Sequence, residues 1–327
     1  MPNPILALIE KHAGPDFVPR LQQQIAGLAA DFWKDAPTQF PIFELKLAGR
    51  TLKIPNLLRP IPADTVPTSA PAKVAPTFWH ALPGEVSEKM WGDGHVLPAA
   101  DVIFDMLVNP LGLTKEKNLL DLSAGLGAPL RKLVGRVGQI KGCETDAAIA
   151  ARGMSLSDKD GKAKLAPIAA YDPAVFSAPA IYDAVLAREL FYRIADKPKF
   201  FYSIAAAAKP QGQIAFTDYI LEPEDRAKRA ITAWQAFEND ARPLSLAEMT
   251  EAWAKVGFEL RVSEDQTPMY KQEIAHGLKR FVVSLRIAPP ADAETKLVIL
   301  RLVETWIRRA AALEQGMKFY RFQGVKS

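Results

Sequence analysis

The chain has 327 residues, 49% of them hydrophobic and 24% charged, with a net charge of +4 and an isoelectric point near 9.0. That is globular composition with ample length for one large core plus an appendage, and the charge is too mild to require an anionic partner. A lone cysteine, Cys143, excludes an internal disulfide and fits a reducing compartment; no apolar run approaches the roughly 18–20 residues of a membrane span, and MPNPILALIEKHAGP lacks the pattern of a signal peptide, so a cytoplasmic chain is expected.

In chain order, Val18–Asp35 carries an apolar stripe at Leu21, Ile25, Leu28, Ala29 and Phe32, close to helical period. FELKLAGRTLKI (43–54) then alternates on either side of Gly49 and Arg50, which predicts a short hairpin. Pro55–Pro83 is rich in proline and alanine and reads as a linker or an extended strap. Residues 1–83 are therefore expected to form an N-terminal helical segment with its strap, separate from a domain over 84–327. The segment is a candidate to cover a site on that domain or to join two copies of the chain in a homodimer.

From about Glu85, helix-like and strand-like segments alternate, which points to an α/β fold with a parallel sheet and crossover helices. The predicted order is helix Ala99–Val108, strand Asn118–Leu122, helix Pro129–Val134, strand Val137–Cys143, helix Ala147–Met154, then strands Leu165–Ala170 and Ala184–Ala187. Helix Pro198–Ala208, a turn at Lys209–Gly212 and strand Gln213–Leu221 follow. Helices fill 224–256, ahead of strand Phe258–Val262 and a long helix, Ala293–Leu313. Met317–Lys326 alternates like an edge strand.

The first chemical signal is NLLDLSAGLGAPLRKLV (118–134), where apolar residues run into Asp121 and Gly125 and Gly127 then bracket one leucine. In open α/β sheets ligands sit at the carboxyl ends of the strands, and a glycine pair lets backbone approach a ligand closely. A dinucleotide loop would need glycine where Leu130 stands, and a P-loop would need a lysine that is missing, so neither phosphate-binding reading fits. Alone, such a pair is often only a tight turn. Here Asp121 ends the strand before it, where a carboxylate suits a cationic ligand. GCETD ends the next strand with Glu144, placed where an acidic side chain can accept from ribose hydroxyls, and AAYDP ends the third with Asp172. The histidines, His12, His80, His95 and His276, show no metal-ligand spacing, so no metal is expected.

This succession resembles the class I S-adenosylmethionine-dependent methyltransferases over roughly Met90–Leu221, and more weakly over Pro243–Leu260. The resemblance implies a Rossmann-like, mostly parallel seven-stranded sheet with helices on both faces, an inserted helical cap about 222–256, and S-adenosylmethionine as cofactor. Carried over, Asp121, Ser123, Gly125 and Gly127 belong to the methionine side of the cradle, Glu144 to the ribose and Asp172 to the adenine, with Thr145 and Arg188 as further cofactor-binding candidates. The family usually has glycine where Ser123 stands.

On the acceptor side, KMWGDGHVLPAAD (89–101) and LARELFYRIAD (186–196) are similar to segments of the phosphoethanolamine and sarcosine/dimethylglycine type of small-molecule methyltransferase. That similarity implies Glu189, His95 and Tyr219 as catalytic candidates and Trp91, Tyr192 and Arg193 as substrate-binding ones. Each has a plainer reading: Trp91 as packing, Glu189 as a carboxylate favoured at a helix start, Trp234 and Phe237 as core. Arg193 stands where that family has histidine, and a guanidinium cannot deprotonate, so Arg193 is expected to bind an anionic oxygen or to lie on the surface. The function expected is methyl transfer to a small polar or amphipathic metabolite. The alternatives are nucleic-acid methylation, for which Arg308, Arg309, Lys318, Arg321 and Lys326 offer a basic face, and cofactor binding without turnover.

Overall fold

Alternation along the central strands sorts their side chains into separate cores: Leu119, Ala184, Leu186 and Ala215 join one buried cluster, while Leu120, Val185, Ala187, Ile214 and Phe216 join the other. A strand covered on both faces is a run of apolar residues, and β3 (Leu119–Asp121) is buried at every position. The computed structural model describes residues 42–47, 50–55, 79–159, 166–238, 241–288 and 293–327. Around β3 stand β4 (Ile140–Glu144), β5 (Ile168–Ala170), β6 (Tyr182–Arg188), β7 (Ala208–Ile220), β8 (Phe258–Asp265) and β9 (Lys318–Lys326). They form a seven-stranded sheet in the order β5-β4-β3-β6-β7-β9-β8, parallel from β5 to β7, with β9 antiparallel to both its neighbours. This is the Rossmann-like sheet expected, and its order reverses at β3, where the carboxyl ends of β3 and β6 open a crevice.

The final strand corrects one expectation. Met317–Lys326 has the alternation of an edge, yet β9 lies between β7 and β8. Its polar residues are accommodated by pairing: Arg321 donates to Glu264 and to the Met106 carbonyl, and Lys326 to the Ala205 and Ala208 carbonyls. The turn at Lys209–Gly212 also takes another form. It is an irregularity inside β7, which pairs with β6 at Ala208 and again at Gln213.

Helices α1 (Pro83–Trp91), α2 (Ala100–Val108), α3 (Ala128–Arg131), α4 (Ala147–Lys159), α5 (Lys197–Ala207), α6 (Arg229–Phe237), α7 (Leu246–Lys255), α8 (Thr267–Ile287) and α9 (Ala293–Glu314) complete the element list. Their starts are legible locally. Asp196 accepts from the Lys199 amide ahead of α5, and Ser245 and Glu248 form a reciprocal capping box on α7. Helices α1 and α8 are not among the predicted elements, although Tyr270, Ile274, Phe281 and Leu285 of α8 recur at helical spacing and are buried. The α8–α9 pair is inserted between β8 and β9 and packs with α1 and α6 into a helical layer. At its centre the Trp91 ring meets Trp306 edge-on, with centroids 4.6 Å apart, and lies against Gly277 of α8. β1 (Ile42–Leu47) and β2 (Arg50–Pro55) form the expected antiparallel hairpin, with Arg50 opening its second strand. The Val18–Asp35 helix and residues 56–78 of the strap lie outside the described residues.

A β-carbon on Gly277 would fall within the Trp91 ring. Gly277→Ala is therefore expected to destabilise the chain by about 1–3 kcal/mol through overpacking, read as a lower midpoint in denaturant unfolding. An unchanged midpoint would mean that α1 does not seat Trp91 on α8.

Candidate active site

The loop after β3 is set by backbone needs. Gly125 and Gly127 both have positive φ, at 56° and 81°, which L side chains rarely adopt. Space demands glycine as well: a β-carbon would stand 2.9 Å from Val96 Cγ2 at Gly125 and 2.5 Å from Ile168 Cδ1 at Gly127. The turn is pinned from both neighbouring strands. Asp121, fully buried, accepts from the Ser123 amide at 2.9 Å and from the Arg188 guanidinium at 2.9 Å. Arg188 also donates to the Ser123 carbonyl at 2.6 Å, and its own amide donates to Ser123 Oγ at 2.6 Å. The serine hydroxyl thus ties the loop to the end of β6, a contact that glycine could not make.

Glu144, at the end of β4, accepts from the Gly125 amide at 2.9 Å through one oxygen and from Thr145 and the Asp146 amide through the other. Thr145 is exposed. Asp172 is also exposed and caps the turn Pro173–Val175 by accepting from the Ala174 amide at 2.9 Å. The acidic strand ends are therefore side by side along the carboxyl edge of the sheet, as expected. A small cleft, open to solvent, lies over the loop and is lined by residues that include His95, Val96, Ser123, Gly125 and Arg188. Arg188 Nε and His95 Nδ1 are buried without a hydrogen-bond partner, an arrangement that is costly unless a ligand completes it. Burial lowers the His95 pKa, against the opposing pull of Asp101, whose carboxylate lies 3.5 Å from Nε2.

Beyond Arg188 the chain turns sharply. Glu189 has φ of 51°, a left-handed conformation uncommon for a residue other than glycine, and it is held there by an amide bond to the Thr217 carbonyl of β7 at 2.9 Å. Its carboxylate is buried and accepts from three donors. Tyr219 donates to it at 3.0 Å, Arg309 at 2.9 Å, and Tyr270 donates as well. Arg309, 3% exposed, reaches in from α9; it pairs with both oxygens of Glu238 at 2.6 and 2.9 Å and donates to the Tyr192 hydroxyl at 2.6 Å. The Tyr192 hydroxyl in turn donates to Glu238 at 2.8 Å.

The sequence candidates thus fall into separate groups. Asp121, Ser123, Gly125, Gly127, Glu144, Arg188 and His95 meet at or beside the cleft, and Glu189, Tyr219 and Tyr192 meet in the buried network. Trp91 is packed in the helical layer. Arg193 is exposed, with its Nε donating to the Tyr192 hydroxyl at 2.7 Å. Sequence reasoning missed Glu238 and Tyr270, and it placed Arg309 on a basic face. That face does not form: Arg308 and Arg309 are buried and paired internally, and Arg321 pairs with Glu264. Among the described residues no group of histidine, cysteine and acidic side chains is arranged to hold a metal ion, and no helix is long and apolar enough to cross a membrane.

Residues 100–262 match the model of a methyltransferase domain family. No curated protein matches the chain by sequence. Solved structures resemble its fold. Phosphoethanolamine N-methyltransferase 2 of Haemonchus contortus, in complex with S-adenosyl-L-methionine, has a TM-score of 0.63 at 19% identity, covering 76% of this chain and 57% of that one. The chain therefore spans little more than half of that enzyme's length. A Galdieria sulphuraria protein assigned as a sarcosine dimethylglycine methyltransferase has a TM-score of 0.59 at 19% identity, covering 70% and 85%. Geranyl diphosphate C-methyltransferase from Streptomyces coelicolor A3(2), with Mg2+, geranyl diphosphate and S-adenosyl-L-homocysteine, has a TM-score of 0.54 at 14% identity, covering 70% and 79%.

Burial alone would raise the Glu238 carboxyl, but the Arg309 charge and its hydrogen bonds prevail and hold it at about 2, against an ordinary 4.5. Because the folded value is the lower one, this stabilisation is complete above pH 4.5 and is lost as the pH falls from there towards 2. Glu238→Gln should cost on the order of 3 kcal/mol at neutral pH. It should also flatten the acid limb of a pH–stability curve measured by denaturant unfolding. Parallel curves for the variant and wild type would remove Glu238 from the network.

Proposed function

We propose that the chain, whose residues 100–262 match a methyltransferase domain family, transfers a methyl group from S-adenosylmethionine to a small polar or amphipathic metabolite, at nitrogen or oxygen. One observation carries the reading: the left-handed glycine loop and the acidic ends of β3 and β4 adjoin a cleft whose lining residues Arg188 and His95 leave buried polar atoms unpaired. That donor set suits a ligand with a carboxylate, an ammonium and a ribose but no phosphate, since no lysine of the P-loop kind stands in the loop. Arg188 Nε would meet the carboxylate, Asp121, Ser123, Gly125 and Gly127 would cradle the methionyl chain, Glu144 and Thr145 would hold the ribose, and Asp172 would face the adenine. When bound, the cofactor supplies an electrophilic methyl group on a sulfonium sulfur. The protein's contribution is then chiefly alignment of the acceptor with it. The Haemonchus and Streptomyces structures hold this cofactor or its demethylated product, which supports the assignment.

Proton removal falls to His95 in this reading. Burial keeps its ring neutral near pH 7, and the Asp101 carboxylate beside Nε2 favours the tautomer that leaves the Nδ1 lone pair free. Glu189 is engaged by three internal donors. That engagement also favours a second reading, cofactor binding without turnover.

Glu144→Ala is expected to weaken S-adenosylmethionine binding roughly tenfold to a hundredfold in calorimetry, as a charge-assisted ribose contact worth roughly 1.5–3 kcal/mol disappears. Unchanged affinity would remove Glu144 from the site, and tight binding of NAD with none of S-adenosylmethionine would overturn the assignment. A labelled-methyl screen of extract divided into polar, lipid and RNA pools decides between the readings: turnover in the polar or lipid pool supports the first, and binding with no transfer in any pool supports the second.

A further inference from the structure

We infer that Arg309 is a built-in occupant of a cation site beside the cleft, and that it thereby bars ammonium- and guanidinium-bearing acceptors and leaves neutral or anionic ones. The inference rests on the methyltransferase reading above and concerns which acceptors that site admits.

The walls of this site are those of a cation receptor. Two carboxylates, Glu189 and Glu238, face one centre, and both are within 3.0 Å of the Arg309 guanidinium. Aromatic rings line the remaining sides, with the guanidinium carbon 4.5 Å from the ring centroid of Trp306, 5.7 Å from Tyr219 and 5.8 Å from Tyr192. Carboxylates with aromatic faces are the chemistry that recognises organic cations. The chamber is one residue removed from the cleft along the chain: Glu189 directly follows Arg188, which lines the cleft, and Trp91, which packs on Trp306, stands three residues before the lining residue Gly94. The strained backbone of Glu189 serves to turn its carboxylate into this chamber.

Arg309 fills the chamber from within the chain. Its Nε, Nη1 and Nη2 each donate to a carboxylate, and Nη2 also donates to Tyr192. A free ammonium entering the same place would have to displace a buried guanidinium and strand it without partners, the costly way to break a buried ion pair. Cationic acceptors are therefore excluded by competition from a side chain whose effective concentration is set by the fold. What an acceptor can still meet are the groups at the cleft, the Arg188 guanidinium and the neutral His95 ring, and these suit an anionic or uncharged molecule.

The test uses the full chain, wild type and Arg309→Ala, with methylguanidinium chloride and tetramethylammonium chloride as probes. S-adenosylmethionine affinity is measured alongside by calorimetry. We expect the variant to melt at a lower temperature than wild type. Millimolar methylguanidinium should restore several degrees, and it should bind the variant at least tenfold more tightly than wild type. A folded variant that neither binds nor is rescued, or a wild type that binds either probe as tightly as the variant, overturns the inference. If Arg309→Ala does not fold, Arg309→Lys, which keeps a cation in the chamber, and the wild-type acceptor screen decide. In that screen the polar pool is divided on a cation exchanger: acceptor activity in the unretained fraction supports the inference, and activity confined to the retained fraction overturns it. Absence of S-adenosylmethionine binding, with the probe results as expected, would refute the methyltransferase reading and leave the cation site standing.

Discussion

A single guanidinium joins the helical layer to the sheet. Arg309 extends from α9 to Glu189 at the end of β6 and to Glu238 just after α6, and all three are largely removed from water. Isolated, any one of these charges would be expensive to bury; together, with tyrosine hydroxyls completing the hydrogen bonds, they are satisfied. The arrangement fixes much else. Glu189 can hold its left-handed backbone because its carboxylate is anchored. Tyr219 and Tyr270 are oriented by donating to it, and Trp306 lies against the guanidinium, which aligns it with Trp91 and so with α1. A buried ion pair of this kind adds little net stability over apolar packing but strongly disfavours alternative arrangements, here of the α8–α9 pair on the sheet.

The glycine loop after β3 shows the same preference for fixed geometry. Ser123 closes a circuit in which its hydroxyl accepts from the Arg188 amide, its carbonyl accepts from the Arg188 guanidinium, and that guanidinium donates to Asp121. Two adjacent strand ends are thereby locked at the point where the crevice opens. A loop held this rigidly loses less conformational entropy on binding a ligand.

How far sequence carries depends on how local the determining interaction is. The alternating helices and strands of 100–262 were legible because apolar period and caps are local, and the strand ends Asp121, Glu144 and Asp172 could be placed because each closes an apolar run. Strand β9 was read as an edge because alternation reports partial exposure; the charges of Arg321 and Lys326 are instead taken up by Glu264 and by backbone carbonyls. Arg309 was read as part of a solvated basic face because its neighbours are charged. Its partners lie 71 and 120 residues away in sequence, at Glu238 and Glu189, and no short-range pattern encodes such a pairing. Gly277 is similar, since its meaning depends on a tryptophan in another helix.

Counting donors and acceptors settles which groups the network can lend to chemistry. A tyrosine hydroxyl has one proton and two lone pairs. Tyr192 gives its proton to Glu238 and receives from Arg193 and Arg309, so nothing remains for a substrate. Tyr219 and Tyr270 each give their proton to Glu189. Burial also raises the pKa of all these hydroxyls, so they stay protonated and cannot serve as bases. In this conformation the network is therefore a rigid wall. In the proposed reading proton removal falls instead to His95 in the cleft, where burial lowers the ring's pKa.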